Sequence, residues 1–254
     1  MNEFPKTRQF AQFHTMFDAV KWRIRVDENF SAYQGLLEFV VDDSAIAAHE
    51  QIIKEELKSK SNERPFLKKM LDFAEKRGNN KLFIGMRTAH VYKSFEIYSR
   101  QSLVVLASFL EGVITNFFYC VFCKHPNRMY NFISSGSNQN IIGKIDLKKI
   151  LSFSNIEDLL FDLASEASNN ASSGDYKSVL KRLVEITEGA VTLEEANKTI
   201  QIIEIRNRIV HELSQEEIDP ELVANSFNSV IEFITCLENA AKKMEIPIFV
   251  FPDE

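Results

Sequence analysis

An all-α fold, a helical bundle with an additional N-terminal helical region, is what this sequence predicts, and three observations predict it. Glycine and proline are scarce, 8 and 6 among 254 residues, against 21 phenylalanines, so breakers are few and the stretches between them are long enough for helices. Apolar residues recur at spacings of three and four, the period of a helix face. Hydrophobic residues make up 45% of the chain, enough for a substantial core without disulfides or metal.

Taken in order, residues 5 to 42 carry Phe10, Phe13, Phe17, Val20 and Ile24 as an apolar stripe expected to face inward. A second helical run surrounds Tyr33 to Val41. From Ser44 a helix through Ile46, Ile52, Ile53 and Leu57 is expected to end in a polar loop, Lys58 to Glu63, before Pro65 restarts a helix. The break Arg77-Gly-Asn-Asn-Lys81 then marks the candidate domain boundary, separating residues 1–80, an accessory helical region, from residues 81–254.

Just beyond that break lies the longest uninterrupted helical pattern, about Thr88 to Cys123. Leu103 to Cys123 is apolar and about long enough to cross a bilayer. Glu111 and Asn116 at its centre argue for a buried bundle helix instead, since a carboxylate at bilayer depth is costly. Shorter helices are expected over Lys144–Phe153 and Ile156–Ala167, then an exposed loop, Ser168 to Gly174. Asp175 to Ile186 resumes a helix. Thr192 with Glu195 forms a capping-box signature, and the helix it starts is expected to continue to Leu213. Pro220 opens a last long helix ending near Met244, and the tail Ile246 to Pro252 reads as an extended segment packed on the bundle.

Charge and cysteine usage narrow the function. A net charge of −6 excludes a protein that coats nucleic acid non-specifically, because such binding depends on counterion release by many Lys and Arg, yet it leaves room for a local basic cleft. Three cysteines do not make a secreted disulfide framework, and MNEFPKTRQF lacks the apolar core of a signal peptide, so the expected location is a reducing cytoplasm with no membrane attachment.

The densest functional signal is Glu204-Ile-Arg-Asn-Arg-Ile-Val-His-Glu212. Asn207 and His211 are four apart and share a helix face, while Arg206 reaches round with a long side chain. Arginine offers a fixed fork of donors to phosphate oxygens, and histidine exchanges a proton near neutral pH, a minimal kit for phosphoryl transfer without metal. In RNA the neighbouring 2′-hydroxyl supplies the nucleophile, so two such kits suffice to deprotonate it, stabilise the phosphorane and protonate the leaving oxygen.

Arg206-Asn207-Arg208-Ile209-Val210-His211 resembles the Arg-polar-x-x-x-His signature of the HEPN-domain ribonucleases. The resemblance implies a HEPN-like bundle over roughly residues 88–245, beginning with the helix that contains Glu111. It also implies a homodimer with facing motifs, and RNase activity of the kind used by toxin, antiphage and abortive-infection systems, with an antitoxin or regulatory partner. Carried over by position, Arg206 and His211 are the catalytic pair, Asn207 is the polar helper and Arg208 an extra phosphate or RNA contact. No cofactor is implied. Outside the six-residue box the resemblance is architectural, and the first 80 or so residues, read as a sensor, regulatory cap or dimerisation aid, lie beyond it.

Glu111 needs a partner if buried, and Arg206, Arg208 or His211 could supply one, which makes it a candidate for orienting the site. The plain structural alternative is that Arg206 and Arg208 are solvated or pair with Glu204 and Glu212, with His211 an ordinary residue near a helix end. Cys120-Val-Phe-Cys123 followed by His125 has metal-like spacing but no second ligand pair, so these cysteines read as small core residues and no metal is assigned. His14, His49 and His90 read as structural. The leading expectation is a metal-independent endoribonuclease, and the alternative is a non-catalytic helical scaffold that binds nucleotide, RNA or a partner protein.

Overall fold

The computed structural model describes residues 15–63, 69, 80–133, 145, 147–211 and 218–250. Among these the protein is all-α: α1 (Ala19–Val41), α2 (Asp43–Glu63), α3 (Asn80–Lys124), a 3-10 turn (Pro126–Phe132), α4 (Leu147–Leu151), α5 (Ile156–Ala171), α6 (Tyr176–Ile186), α7 (Leu193–Asn197), α8 (Ile200–His211) and α9 (Pro220–Lys243). No strand is formed among the described residues beyond one isolated parallel bridge, Phe17 to Ile248.

That bridge corrects the expected first helix. Asp18 accepts from the Lys21 backbone N–H at 2.8 Å, so the helix begins after it and Phe17 stays extended. The Phe17 N–H donates to the Pro247 carbonyl at 2.8 Å and the Phe249 N–H to the Phe17 carbonyl at 3.3 Å, which packs the tail on the bundle as expected. Ala19, Val26 and Tyr33 are the buried positions of α1, whereas Ile24, placed inside by the stripe, is 44% exposed. Phe10, Phe13 and His14 lie outside the described residues, as do Arg77 to Asn79 of the candidate domain boundary.

The expected loop from Lys58 to Glu63 is helical, since α2 runs to Glu63. Lys and Glu are good helix formers, and no Gly or Pro interrupts the run until Pro65, so polarity there did not mark a break. Asp42 starts α2 by accepting from Ser44 N–H at 2.8 Å and Ala45 N–H at 3.3 Å.

Two compact units divide the described residues. One takes those of Met1–Asp27, Leu103–Ser214 and Asn225–Glu254, the other those of Glu28–Ser102 and Gln215–Ala224. In the second unit, the buried Tyr33 ring stacks on Phe95 and Tyr98 at 5.5 and 6.5 Å, and His49 meets the edge of Phe39 at 5.9 Å.

The first unit is centred on α3, whose Leu103, Leu106, Leu110, Val113, Ile114, Phe117, Phe118 and Phe122 are fully buried. Its Ala89–Lys124 stretch is long and apolar enough to cross a membrane by length and composition, and 50% of its most apolar window is buried within the protein. Around it, Phe17 packs edge-on against Phe117 at 5.2 Å and Trp22 against Phe109 at 6.4 Å. Asn170 of α5 donates to the Phe132 carbonyl at 2.7 Å, tying α5 to the 3-10 turn.

Two further expectations are corrected here. Helix α5 persists to Ala171 through part of the expected loop, with Ser168 and Ala171 buried. Arg182 of α6 explains it: the guanidinium donates to the carbonyls of Asn170 at 2.9 Å, Ala171 at 2.6 Å and Ser173 at 2.6 Å, satisfying the acceptors a helix end leaves open. The chain then turns at Gly174, whose φ of +92° suits glycine, before Asp175 caps α6.

The capping box at Thr192 and Glu195 is present, but the helix it starts ends at Asn197 and α8 begins separately at Ile200. Thr199 makes the break. Its hydroxyl donates to the Ala196 carbonyl at 2.8 Å and pairs with the Tyr176 hydroxyl at 2.8 Å, drawing the backbone out of the helical ladder.

Candidate functional site

Helix α8 is anchored by Ile202, Ile203 and Ile205, all buried. This orientation leaves Asn207, Arg208 and His211 exposed and Arg206 half-buried. Arg206 Nη2 donates to Glu111 Oε1 across from α3, so the motif arginine and the carboxylate singled out in the long helix meet. Glu204 is held elsewhere, by Lys177 Nζ at 3.2 Å, and so does not serve as the partner of Arg206. Glu212 lies outside the described residues.

The Arg206–Glu111 pair borders a cleft of about 300 Å³ lined also by Tyr176, Lys177, Glu204 and Asn207. Burial pushes the Tyr176 phenol up, the Thr199 hydrogen bond works against this, and the Glu111 charge adds to the rise. Tyr176 is therefore a neutral wall and hydrogen-bonding group at neutral pH. A second cleft, of about 450 Å³, is bordered by Gln201, Glu204, Ile205, Asn207 and Arg208.

Thus Asn207 stands between two clefts, with Arg206 and Glu111 on one and Arg208 on the other. His211 lines neither. Five residues along a helix turn the side-chain direction by about 140°, so Arg206 and His211 of one copy point to different sides of α8. Of the three residues expected to converge on one ligand, Arg206 and Asn207 line the same cleft and His211 lines neither of the two.

Sequence reasoning assigned Tyr176 and Lys177 only to a helix start. No spacing pattern could have exposed them, because they reach the cleft by the packing of α6 against α8. Among the described residues no group of three His, Cys, Asp or Glu could hold a metal. Cys120 is buried and its thiol is pushed up to about 12 by that burial, while His125 turns its Nε2 to the Met244 carbonyl at 2.9 Å. No family model, curated protein or solved structure matches this chain.

Proposed function

We propose that this protein is a metal-independent endoribonuclease of the HEPN type, working as a homodimer whose composite site joins the α8 motifs of two copies. The observation that carries this reading is the half-buried Arg206 guanidinium in a cleft, already paired with an anionic oxygen, that of Glu111. A donor fork that holds a carboxylate in a recess is chemically suited to a phosphodiester. The 140° separation of Arg206 and His211 on one helix supports the dimer: a second copy can bring a histidine to an arginine that its own chain keeps apart.

In this reaction one His211 takes the proton of the RNA 2′-hydroxyl, and O2′ attacks the adjacent phosphorus. Arg206 holds the non-bridging oxygens as negative charge grows. The phosphorus–O5′ bond breaks, the histidine of the second copy protonates O5′, and the products are a 2′,3′-cyclic phosphate and a 5′-hydroxyl. Asn207 hydrogen-bonds the phosphate or ribose, and Arg208 extends the contact to a neighbouring phosphate. The biological setting that fits is a cytoplasmic toxin or antiphage effector held in check by an antitoxin or regulatory partner, the acidic surface limiting indiscriminate RNA binding.

The test is incubation of wild-type, His211→Ala and Arg206→Ala proteins with mixed RNA in EDTA, reading fragments and their 3′ ends. Cleavage by wild type alone, leaving cyclic phosphate, supports the reaction; cleavage by a folded His211→Ala protein overturns it. A second reading is favoured by the position of His211 outside both clefts: a non-catalytic scaffold that binds nucleotide, RNA or a partner protein through Arg206 and Asn207. RNA binding that depends on Arg206, with no turnover under any condition tried, selects that scaffold.

A further inference from the structure

The cleft beside Arg206 holds a second cation that the motif does not supply. Lys177, in the first turn of α6, lines it together with Arg206 and Asn207 of α8, and the Lys177 ammonium lies 3.2 Å from Glu204 Oε1. Two cations thus reach one recess of about 300 Å³ from two helices, and each already holds a carboxylate: Glu111 on Arg206, Glu204 on Lys177. Asp175 is a third carboxylate of the lining and caps α6 by accepting from the Ser178 N–H at 3.1 Å. Three carboxylates against two cations give the free cleft no net attraction for an anion.

The paired carboxylates differ from Asp175 in what keeps them there. The side chains of Glu111 and Glu204 are both more than half exposed, and an ion pair so open to water adds little stability, so each can turn into solvent at small cost. Asp175 is fixed by the start of its helix. With both glutamates turned away, a guanidinium fork and an ammonium face the same recess. Arginine suits the paired oxygens of one phosphate, and lysine binds a phosphate oxygen as a compact point charge. An RNA strand carries a phosphate at every nucleotide, so a second cation beside the first has a second phosphate to hold.

We infer that Lys177 binds the phosphate next to the one held by Arg206, and that Glu204 takes the place of that phosphate in the free protein. The cleft then accepts a single strand with two consecutive phosphates in exchange for two carboxylates. The inference rests on the RNA reading above and extends its substrate contacts to a residue outside the motif. Glu204 also borders the second cleft, where Arg208 stands, so its displacement removes one negative charge from both recesses.

Fluorescence anisotropy across a salt series tests it on the full chain, with a labelled single-stranded 2′-O-methyl RNA decamer that keeps every phosphate but lacks the 2′ nucleophile. Lys177→Gln should weaken binding about fivefold and lower the slope of log affinity against log salt by about 0.7, the mark of one lost single-strand phosphate contact. Lys177→Arg should restore both. Lys181→Gln removes a charge one turn further along α6, outside the cleft lining, and should leave the slope unchanged. The deciding protein is Lys177→Gln combined with Glu204→Gln. A lysine that only neutralises Glu204 is dispensable there, and wild-type affinity and slope return; a lysine that holds phosphate still leaves the slope about 0.7 lower. A wild-type slope in that double variant, with binding still abolished by Arg206→Ala, overturns the Lys177 contact alone. No binding by wild type of this decamer or of unmodified RNA overturns it together with the RNA reading.

Discussion

Two of the arginine–glutamate pairs among the described residues of the α3-centred unit differ in what surrounds them. Arg23 of α1 pairs with Glu238 of α9, whose side chain is 18% exposed and is also bonded by Lys242 at 2.8 Å; Thr235 accepts from the same guanidinium at 3.4 Å. Arg206 pairs with Glu111, whose side chain is 51% exposed and faces a cleft. In the first pair the carboxylate is enclosed and shared between two cations, leaving little room for a competing anion. In the second it is half open to solvent, where an incoming phosphate can take its place. An ion pair becomes a candidate site through an adjoining cavity and an unsaturated partner, not through its charges.

Substitutions at both pairs should separate the two roles. The largest expected effect is on catalysis: Arg206→Ala or His211→Ala should lower RNA cleavage about 100-fold or more, while thermal unfolding shifts stability by no more than about 0.5 kcal/mol. A comparable loss of stability in both variants would erase the contrast with Arg23.

Arg23→Ala is expected to do the reverse. Removing a donor to the enclosed Glu238 carboxylate should cost about 2 kcal/mol in denaturant unfolding, with cleavage per folded molecule unchanged. Next in size, Glu111→Gln should tighten RNA binding about fivefold, because the carboxylate that competes for the Arg206 fork is neutralised at nearly constant shape. Weaker binding in that variant would mean that Glu111 positions the arginine and does not compete for it.

The smallest expected effect is a pH dependence carried by the enclosed pair. The Lys242 hydrogen bond holds the Glu238 carboxyl below the usual carboxylate range; burial opposes this, and Arg23 adds to the lowering. A carboxyl depressed in the folded state stabilises the fold above its unfolded value, near about 4.3, and that stabilisation is lost as pH falls through the folded value. Unfolding free energy measured from pH 7 down to pH 3 should therefore decline less steeply in Glu238→Gln than in wild type. An unchanged slope would show that the pair carries no proton linkage.

Elements whose signals are local were legible in the sequence. Asp175 before α6, the Thr192–Glu195 capping box, Pro220 opening α9 and the extended tail after Ile246 all act through neighbours a few residues away or through fixed proline geometry. The long apolar pattern around Leu103 to Cys123 likewise reads as one helix because its burial period is its own.

What failed to show depends on distant atoms. Ser168 to Ala171 look like a loop until Arg182 satisfies the carbonyls of Asn170 and Ala171, and the Thr192 helix looks continuous until the Tyr176 hydroxyl pairs with Thr199. The sequence by itself determined an all-α chain, most helix starts, and Arg206, Asn207, Arg208 and His211 as a motif dense in donors on one helix. Only the tertiary structure decided that Glu111 is the partner of Arg206, that Tyr176 and Lys177 share its cleft, and that His211 faces elsewhere. The reason is geometric: hydrogen bonds three or four residues apart are written in the local pattern, whereas an ion pair across 95 residues exists only once α3 and α8 have packed.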